Sequence, residues 1–392
     1  MKRLRVGVIY GGRSSEHEVS LASAAAICSQ LDPARYEPVP LFIDRSGRWR
    51  VADRIPTTQS AGAVIEQARR ANGLPAPAQG EVEAHLVAHP AEHPILTIGR
   101  AADGKEAVAA PAGTRVSGLA LDVVFPIVHG PCGEDGTLQG LLELAGIPYV
   151  GAGVLASAVA MDKAVAKVLF AAHGLPTVPG RVVTGVEWEG DPDGVVDRIE
   201  AAFDYPLFVK PANLGSSVGV SKVSDRPALH SGLAHAWTFD DKLLVEVAVP
   251  DAREIECSVL GNDAPEASVP GEVVPAGEFY DYESKYLDDR SELLIPAPLS
   301  AERTAQVRAL AVDAYRALHC TGMARVDFLL DEAADRLYVN EANTLPGFTT
   351  ISQYAKLWEA SGLPYPALLD RLIELALARH RRRLRLRSSG PG

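Results

Sequence analysis

Two short segments near the C-terminal end hold the residue types best suited to chemistry, Ala324–Leu330 (ARVDFLL) and Leu337–Asn343 (LYVNEAN). The polar stretch DEAADR between them predicts a β-hairpin. A turn centred near Ala334 sets Arg325 opposite Asn343 and Asp327 opposite Glu341. A register slip of two residues keeps the same side chains on the same face. Two facing carboxylates repel and weaken a bare hairpin. A hard cation would give that arrangement a purpose, because Asp, Glu and Asn oxygens suit Mg²⁺, which fills its other positions with water and substrate phosphate. Without a metal the same residues read as a solvated hairpin face with an Arg–Asp pair.

Further upstream, Phe208–Val223 (FVKPANLGSSVGVSKV) is a strand ending in Lys210, a polar glycine loop, and a second strand. Gly215 and Gly219 allow close backbone approach to an anion, Ser216 and Ser217 add hydroxyl donors, and Lys210 adds positive charge. This suits a polyphosphate, although the Gly-Lys-Ser/Thr ending of a Walker loop is missing; an ordinary hairpin turn is the plainer reading. Gly11–Leu21 (GGRSSEHEVSL) joins a strand to a helix without a GxGxxG pattern. Its Glu16 and Glu18 fall in a first helical turn, where the dipole favours acids, and Ser14 or Ser15 is a candidate cap. Alternatively, one of these carboxylates holds a substrate ammonium group. His129–Gly140 (HGPCGEDGTLQG) follows an apolar strand and suits a ligand-lining loop. Phe279–Leu287 (FYDYESKYL) combines aromatic and charged residues, as a lid over a water-sensitive site would.

The elements that must position these residues are readable from periodicity. Strands are expected at Arg5–Tyr10, Val39–Ile43, Val123–Val128, Leu207–Lys210 and Val218–Val223, with a strand pair at Leu243–Val247 and Glu254–Leu260. Helices are expected at Val19–Leu31, Val154–His173, Glu302–Leu318 and Tyr365–Arg379. Residues 55–110 lack clean periodicity and read as elaborations on the first domain. An α/β domain followed by α+β parts results. A chain of 392 residues has room for two or three domains. Its net charge of −12 argues against nucleic acid or an anionic membrane as main partner. The basic run His380–Arg387 reads as a frayed helix end or a disordered terminus. Four scattered cysteines, with no Cys-x-x-Cys, fit neither a zinc site nor a disulfide framework. No apolar run reaches the roughly 18 residues needed to span a bilayer, so a cytoplasmic protein is expected.

In order along the chain, GGRSSEHEVSL, HGPCGEDGTLQG, MDK (161–163), VKPANLGSSVGVSKV, FYDYESKYL, ARVDF and NEANTLPGFTTISQY resemble the D-alanine–D-alanine ligases of the ATP-grasp superfamily. The resemblance implies an N-terminal α/β substrate domain (1–151), a central ATP-grasp lobe (152–247), a C-terminal lobe with the metal site (248–385) and a tail (386–392). It places Lys163, Lys210, Ser217 and Lys285 on ATP phosphates, Glu246 with Val247 and Val249 at the adenine, and Glu254 at the ribose. Asp327, Glu341 and Asn343 would ligate two Mg²⁺ ions, with Mn²⁺ as a substitute. Glu16, Ser216 and Tyr286 would form a hydrogen-bonded set, in which Glu16 binds the first D-alanine's ammonium. His129 would line that pocket. Arg325 and the amide of Gly347 resemble the family's oxyanion site. Ser352 would contact the second substrate's carboxylate, and Gln353 is grouped with the substrate-binding residues. The implied reaction forms D-alanyl-D-alanine through an acyl phosphate, for peptidoglycan precursor synthesis, in a homodimer.

Three rivals remain at this level. A ligase that joins D-alanine to D-lactate shares the fold, and Tyr286 favours the dipeptide because some depsipeptide-forming relatives carry Phe there. A non-catalytic nucleotide-binding protein would have lost some of the charged residues that are all present here. A nicotinamide-dependent oxidoreductase rests only on strand, glycines and helix at residues 5–25.

Overall fold

Residues 2–52, 82–99, 115–274, 292–349 and 351–386 are described by a computed structural model. Buried apolar strands start the chain. β1 (Leu4–Gly11), β2 (Tyr36–Ile43), β3 (Trp49–Val51), β4 (Val82–Leu86), β5 (Ile95–Gly99), β6 (Arg115–Leu119) and β7 (Val123–Pro126) form one sheet in the order β6-β5-β4-β3-β2-β1-β7. Its centre is parallel, β1 lying between β2 and β7; from β2 to β6 the pairs are antiparallel. The expected elaboration after residue 55 thus contributes β4 and β5 within its described part. A turn at Gly11 and Gly12, with φ of 94° and 100°, leads into α1 (His17–Gln30). A Cβ on Gly11 would lie 2.1 Å from the Ile43 carbonyl oxygen, so the turn excludes any side chain.

α2 (Thr137–Leu144) follows the His129 loop, and then come α3 (Val154–Met161) and α4 (Lys163–Ala172). The single helix expected over 154–173 is broken at Asp162, which adopts extended geometry and accepts a hydrogen bond from the Val165 amide at 3.1 Å. An Asp satisfies an orphan N–H better as a cap than within a helix.

The second sheet comprises β8 (Gly180–Thr184), β9 (Leu207–Pro211), β10 (Ser221–Val223) and β11 (Lys242–Val247), in the order β10-β9-β11-β8. It packs against α5 (Gly185–Gly190), α6 (Pro192–Glu200) and α7 (Arg226–Trp237) around Trp188, Ile199, Val209, Leu233 and Val245.

The third sheet holds β12 (Arg253–Gly261), β13 (Glu266–Ala267), β14 (Gly271–Val274), β15 (Glu292–Leu294), β16 (Gly322–Asp331) and β17 (Arg336–Asn343). Its order is β15-β14-β12-β16-β17, with β13 on β12. α8 (Ala301–Ala317), α9 (Gln353–Ala360) and α10 (Tyr365–Leu384) complete the chain. Leu243–Val247 and Glu254–Leu260 do not pair with each other. Both edges of β11 are occupied, by β8 and β9, so the chain crosses to a new sheet where β12 pairs with β14 and β16.

The cores show how the sheets are joined. Val8, Tyr10, Ile27 and Phe125 share one core with Met323, Phe348, Tyr354, Leu368 and Leu372. The other face of the third sheet, at Val326, Phe328 and Val339, packs with Ala160 and Phe170 of α3 and α4 and with Val307 and Ala311 of α8. Cys28, Cys257 and Cys320 are buried, and burial pushes each thiol up to about 12. Among the described residues, no helix is long and apolar enough to cross a membrane.

Candidate active site

β16 and β17 form the expected hairpin, with Arg325 opposite Asn343 and Asp327 opposite Glu341. Beyond Asp327 the register shifts by one, Phe328 facing Val339, so Asn340 is an extra residue on β17. This bulge matters. Leu337 and Val339 point into the core, and strict alternation would send Glu341 after them. The bulge turns Glu341 and Asn343 to the partly open face that carries Arg325 and Asp327.

Arg325 donates from Nε and Nη2 to the two oxygens of Asp327, both at 2.7 Å, and lies 3.1 Å from Glu256 on β12. Burial opposes its charge, but Asp327 and Glu256 outweigh that and hold the guanidinium firmly protonated. Lys163, the first residue of α4, reaches Glu341 at 3.2 Å. Asn343 Oδ1 accepts from the Leu345 amide at 2.9 Å. Two carboxylates and an amide oxygen on adjacent strands make a donor set of the hard-cation type. Among the described residues no cluster of three or more His, Cys, Asp or Glu is arranged for a metal.

The glycine loop closes one side of this face. Ser216 and Ser217 both lie in the left-handed region, at φ of 51° and 57°, a costly conformation for residues with side chains. Lys163 fastens the loop by two bonds: its Nζ donates to the Leu214 carbonyl at 2.7 Å, and its amide donates to Ala212 at 2.9 Å. Lys210, on β9, and Lys167, one turn beyond Lys163, each lie 2.5 Å from an oxygen of Glu246. Glu246 is only 2% exposed. Burial raises its carboxyl, and the two ammonium groups bring it below the ordinary range. Val247 and Val249 are partly buried just beyond it, and Glu254 sits on β12 near Lys210.

Ser216 Oγ donates to Glu16, tying the loop to the N-terminal sheet's first helix. A Cβ on Gly130 would lie 3.1 Å from Glu16 Oε2, and one on Gly215 would lie 3.5 Å from it, so two glycine backbones flank the carboxylate. Ser14 does not cap α1; its hydroxyl donates to the His129 carbonyl at 2.7 Å and accepts from the Glu16 amide. His129 is buried, with Nδ1 3.2 Å from the Leu345 carbonyl and Nε2 3.4 Å from Ser23 Oγ. That serine also accepts from the Phe348 amide, which brings the segment 345–349 against the His129 pocket. In this loop a Cβ on Gly347 would meet Ser352 Oγ at 2.8 Å. Ser352 Oγ accepts from the Thr349 amide, and Gln353 is buried beside it.

Tyr286 and Lys285, with the rest of Phe279–Leu287, lie outside the described residues. Lys167 and Glu256 were not anticipated. The four-residue spacing from Lys163 was the available signal for Lys167, and the alternation Glu254–Glu256 on a strand was the one for Glu256.

Residues 5–152 match the family described as D-ala D-ala ligase N-terminus, and residues 169–374 match D-ala D-ala ligase C-terminus. The chain belongs to the D-alanine–D-alanine ligase family. A D-alanine–D-alanine ligase of Heliobacterium modesticaldum is 47% identical over 386 residues, covering 98% of each chain. The ligase structure from Coxiella burnetii is 37% identical with a TM-score of 0.77, over 98% of this chain and 97% of that one. VanG, a D-Ala:D-Ser ligase of Enterococcus faecalis, is 31% identical with a TM-score of 0.78, over 96% of this chain and 100% of that one. Membership makes the chain an ATP-dependent ligase with the ATP-grasp architecture.

Proposed function

We propose that this D-alanine–D-alanine ligase family member joins two D-alanines into D-alanyl-D-alanine through an acyl phosphate, in the cytoplasm, for peptidoglycan precursor synthesis. The observation that carries the reading is the contact of Ser216 with Glu16, which joins an acid at the start of α1 to the glycine loop that Lys163 ties to Glu341, beside Asp327 and Arg325.

A carboxylate is a poor electrophile, so ATP's γ-phosphoryl group first moves onto the carboxylate of the first D-alanine and ADP is released from it. Lys163 and Lys210 neutralise phosphate charge during this transfer, while Glu16 holds the substrate's ammonium group. The deprotonated amine of the second D-alanine then attacks the activated carbonyl. Arg325, which has five N–H donors of which Asp327 takes two, and the Gly347 amide stabilise the oxyanion. Each such donor is worth about 3–4 kcal/mol in comparable sites. Phosphate leaves and the dipeptide remains. Asp327, Glu341 and Asn343 fit Mg²⁺, which would supply charge neutralisation at the phosphates when bound. Ser352 and Gln353 would meet the second substrate. Lys285 and Tyr286, outside the described residues, belong to the same proposed set. The three-part division at 151 and 247 and a homodimeric state belong to the same reading.

The test is phosphate release from ATP with D-alanine, L-alanine, or D-alanine with D-lactate or D-serine, products being identified by mass. D-alanine-dependent release with the dipeptide formed is the expected result. Release with only a depsipeptide or a D-alanyl-D-serine product would replace the second substrate; no release with any of them would overturn the reading.

A further inference from the structure

Glu246 presents an unusual charge balance: one buried carboxylate faces two ammonium groups, each 2.5 Å from a different oxygen. All three side chains are nearly closed to water, at 3% exposure for Glu246, 11% for Lys167 and 14% for Lys210. One lysine would neutralise the carboxylate. A second lysine adds a repulsive neighbour, and burial together with Lys210 lowers the Lys167 ammonium below its ordinary range, with Glu246 opposing. Glu341 acts on both lysines and Glu254 on Lys210, so what is doubled is the cation contact on Glu246 itself.

The arrangement makes sense if one of the two lysines has to leave. On the reading proposed above, Lys210 serves an ATP phosphate. Had Glu246 only Lys210 for a partner, that engagement would strand a buried carboxylate, and stranding one member of a buried pair is strongly unfavourable. With Lys167 in place, Glu246 keeps an ammonium group 2.5 Å away when Lys210 turns. We propose that Lys167 is a positioning residue for nucleotide binding: it holds Glu246 so that Lys210 can turn to a phosphate without leaving a buried carboxylate unpaired. Lys167 is suited to stay behind. It projects from α4, whose first residue is held to the glycine loop by the Lys163 amide, whereas Lys210 lies at the end of β9 where that loop begins.

The experiment is calorimetric titration with ADP, combined with KM values for ATP and for D-alanine. Lys167→Met is expected to raise the Kd for ADP and the KM for ATP about tenfold or more, with the KM for D-alanine unmoved. In a Glu246→Gln background there is no carboxylate to strand, so adding Lys167→Met should change the Kd for ADP by less than about twofold. That double variant also carries the test if Lys167→Met alone fails to fold, since both buried charges are gone. An unchanged Kd in Lys167→Met, or a further tenfold loss in the Glu246→Gln background, overturns the proposal. Lys210→Met separates this from the underlying reading: if it binds ADP as the wild type does, the nucleotide site itself is misplaced.

Discussion

Asp327→Asn separates the role of the hairpin face in chemistry from its role in folding. Asp327 takes two hydrogen bonds from Arg325 at 2.7 Å, and removing the only partner of a buried charge costs about 3–5 kcal/mol. Arg325, however, keeps Glu256 at 3.1 Å, and the asparagine retains one oxygen in place. The expected loss is therefore about 1–2 kcal/mol, the weakening of one charged hydrogen-bond pair. In a chain of 392 residues that lowers Tm by only about 1–2 °C. Turnover should fall far more. The substitution removes one of two carboxylates from the donor set opposite Lys163, and a fall of at least about a hundredfold is expected. Thermal unfolding without nucleotide, together with D-alanine-dependent phosphate release, reads both quantities on one preparation. Turnover within about threefold of wild type would sink the assignment of Asp327 to the metal. A much larger drop in Tm would show instead that Glu256 does not hold Arg325 when Asp327 is lost.

Two further outcomes follow from buried charges elsewhere. Burial alone would lower the His129 imidazolium, but Glu134 at 3.9 Å and Glu16 overcome it and raise the group above its ordinary value. Its contribution to stability is thus complete below about pH 6.5 and is lost as pH rises through the raised folded value. In urea unfolding, the gap between wild type and His129→Asn should be widest near pH 6 and shrink on going alkaline; a gap independent of pH would refute this. Arg379 of α10 donates to the carbonyls of Gly151 and Tyr149 and to Thr321 Oγ1, and stacks 4.5 Å from the Tyr149 ring. Arg379→Met leaves those buried acceptors unpaired and should cost about 2–4 kcal/mol by denaturant unfolding; a loss under about 0.5 kcal/mol would show that these contacts do not tie the helix down.

Much of the site was legible because its chemistry is local. The pairing of Asp327 with Glu341 and of Arg325 with Asn343 came from two strand patterns and a polar turn, and the ordered motifs supplied the family. What stayed hidden depended on competition between distant elements. In LYVNEAN, strict alternation puts Glu341 on the face of Val339, and only the buried side of the third sheet forces the bulge at Asn340. The separation of β11 from β12 was equally unreadable, since each strand is as apolar as a hairpin partner should be. The break at Asp162 had a local sign, an acid just ahead of a good helical run, but the apolar stretch before it masked that sign.

The distribution of cores bears on how the chain is made. The sheet of residues 180–247 closes around its own apolar cluster, while β1, α1 and β7 complete theirs only with Phe348, Tyr354 and Leu368–Ile373. During synthesis the middle of the molecule can therefore fold as soon as it emerges. One face of the first sheet closes locally around Ile9, Leu41, Val124 and Leu142, but the other must wait, apolar side chains uncovered, until the last helix has been added. That interval is when this chain most needs protection from aggregation, and shortening α10 would expose the far end of the sequence as well as its own.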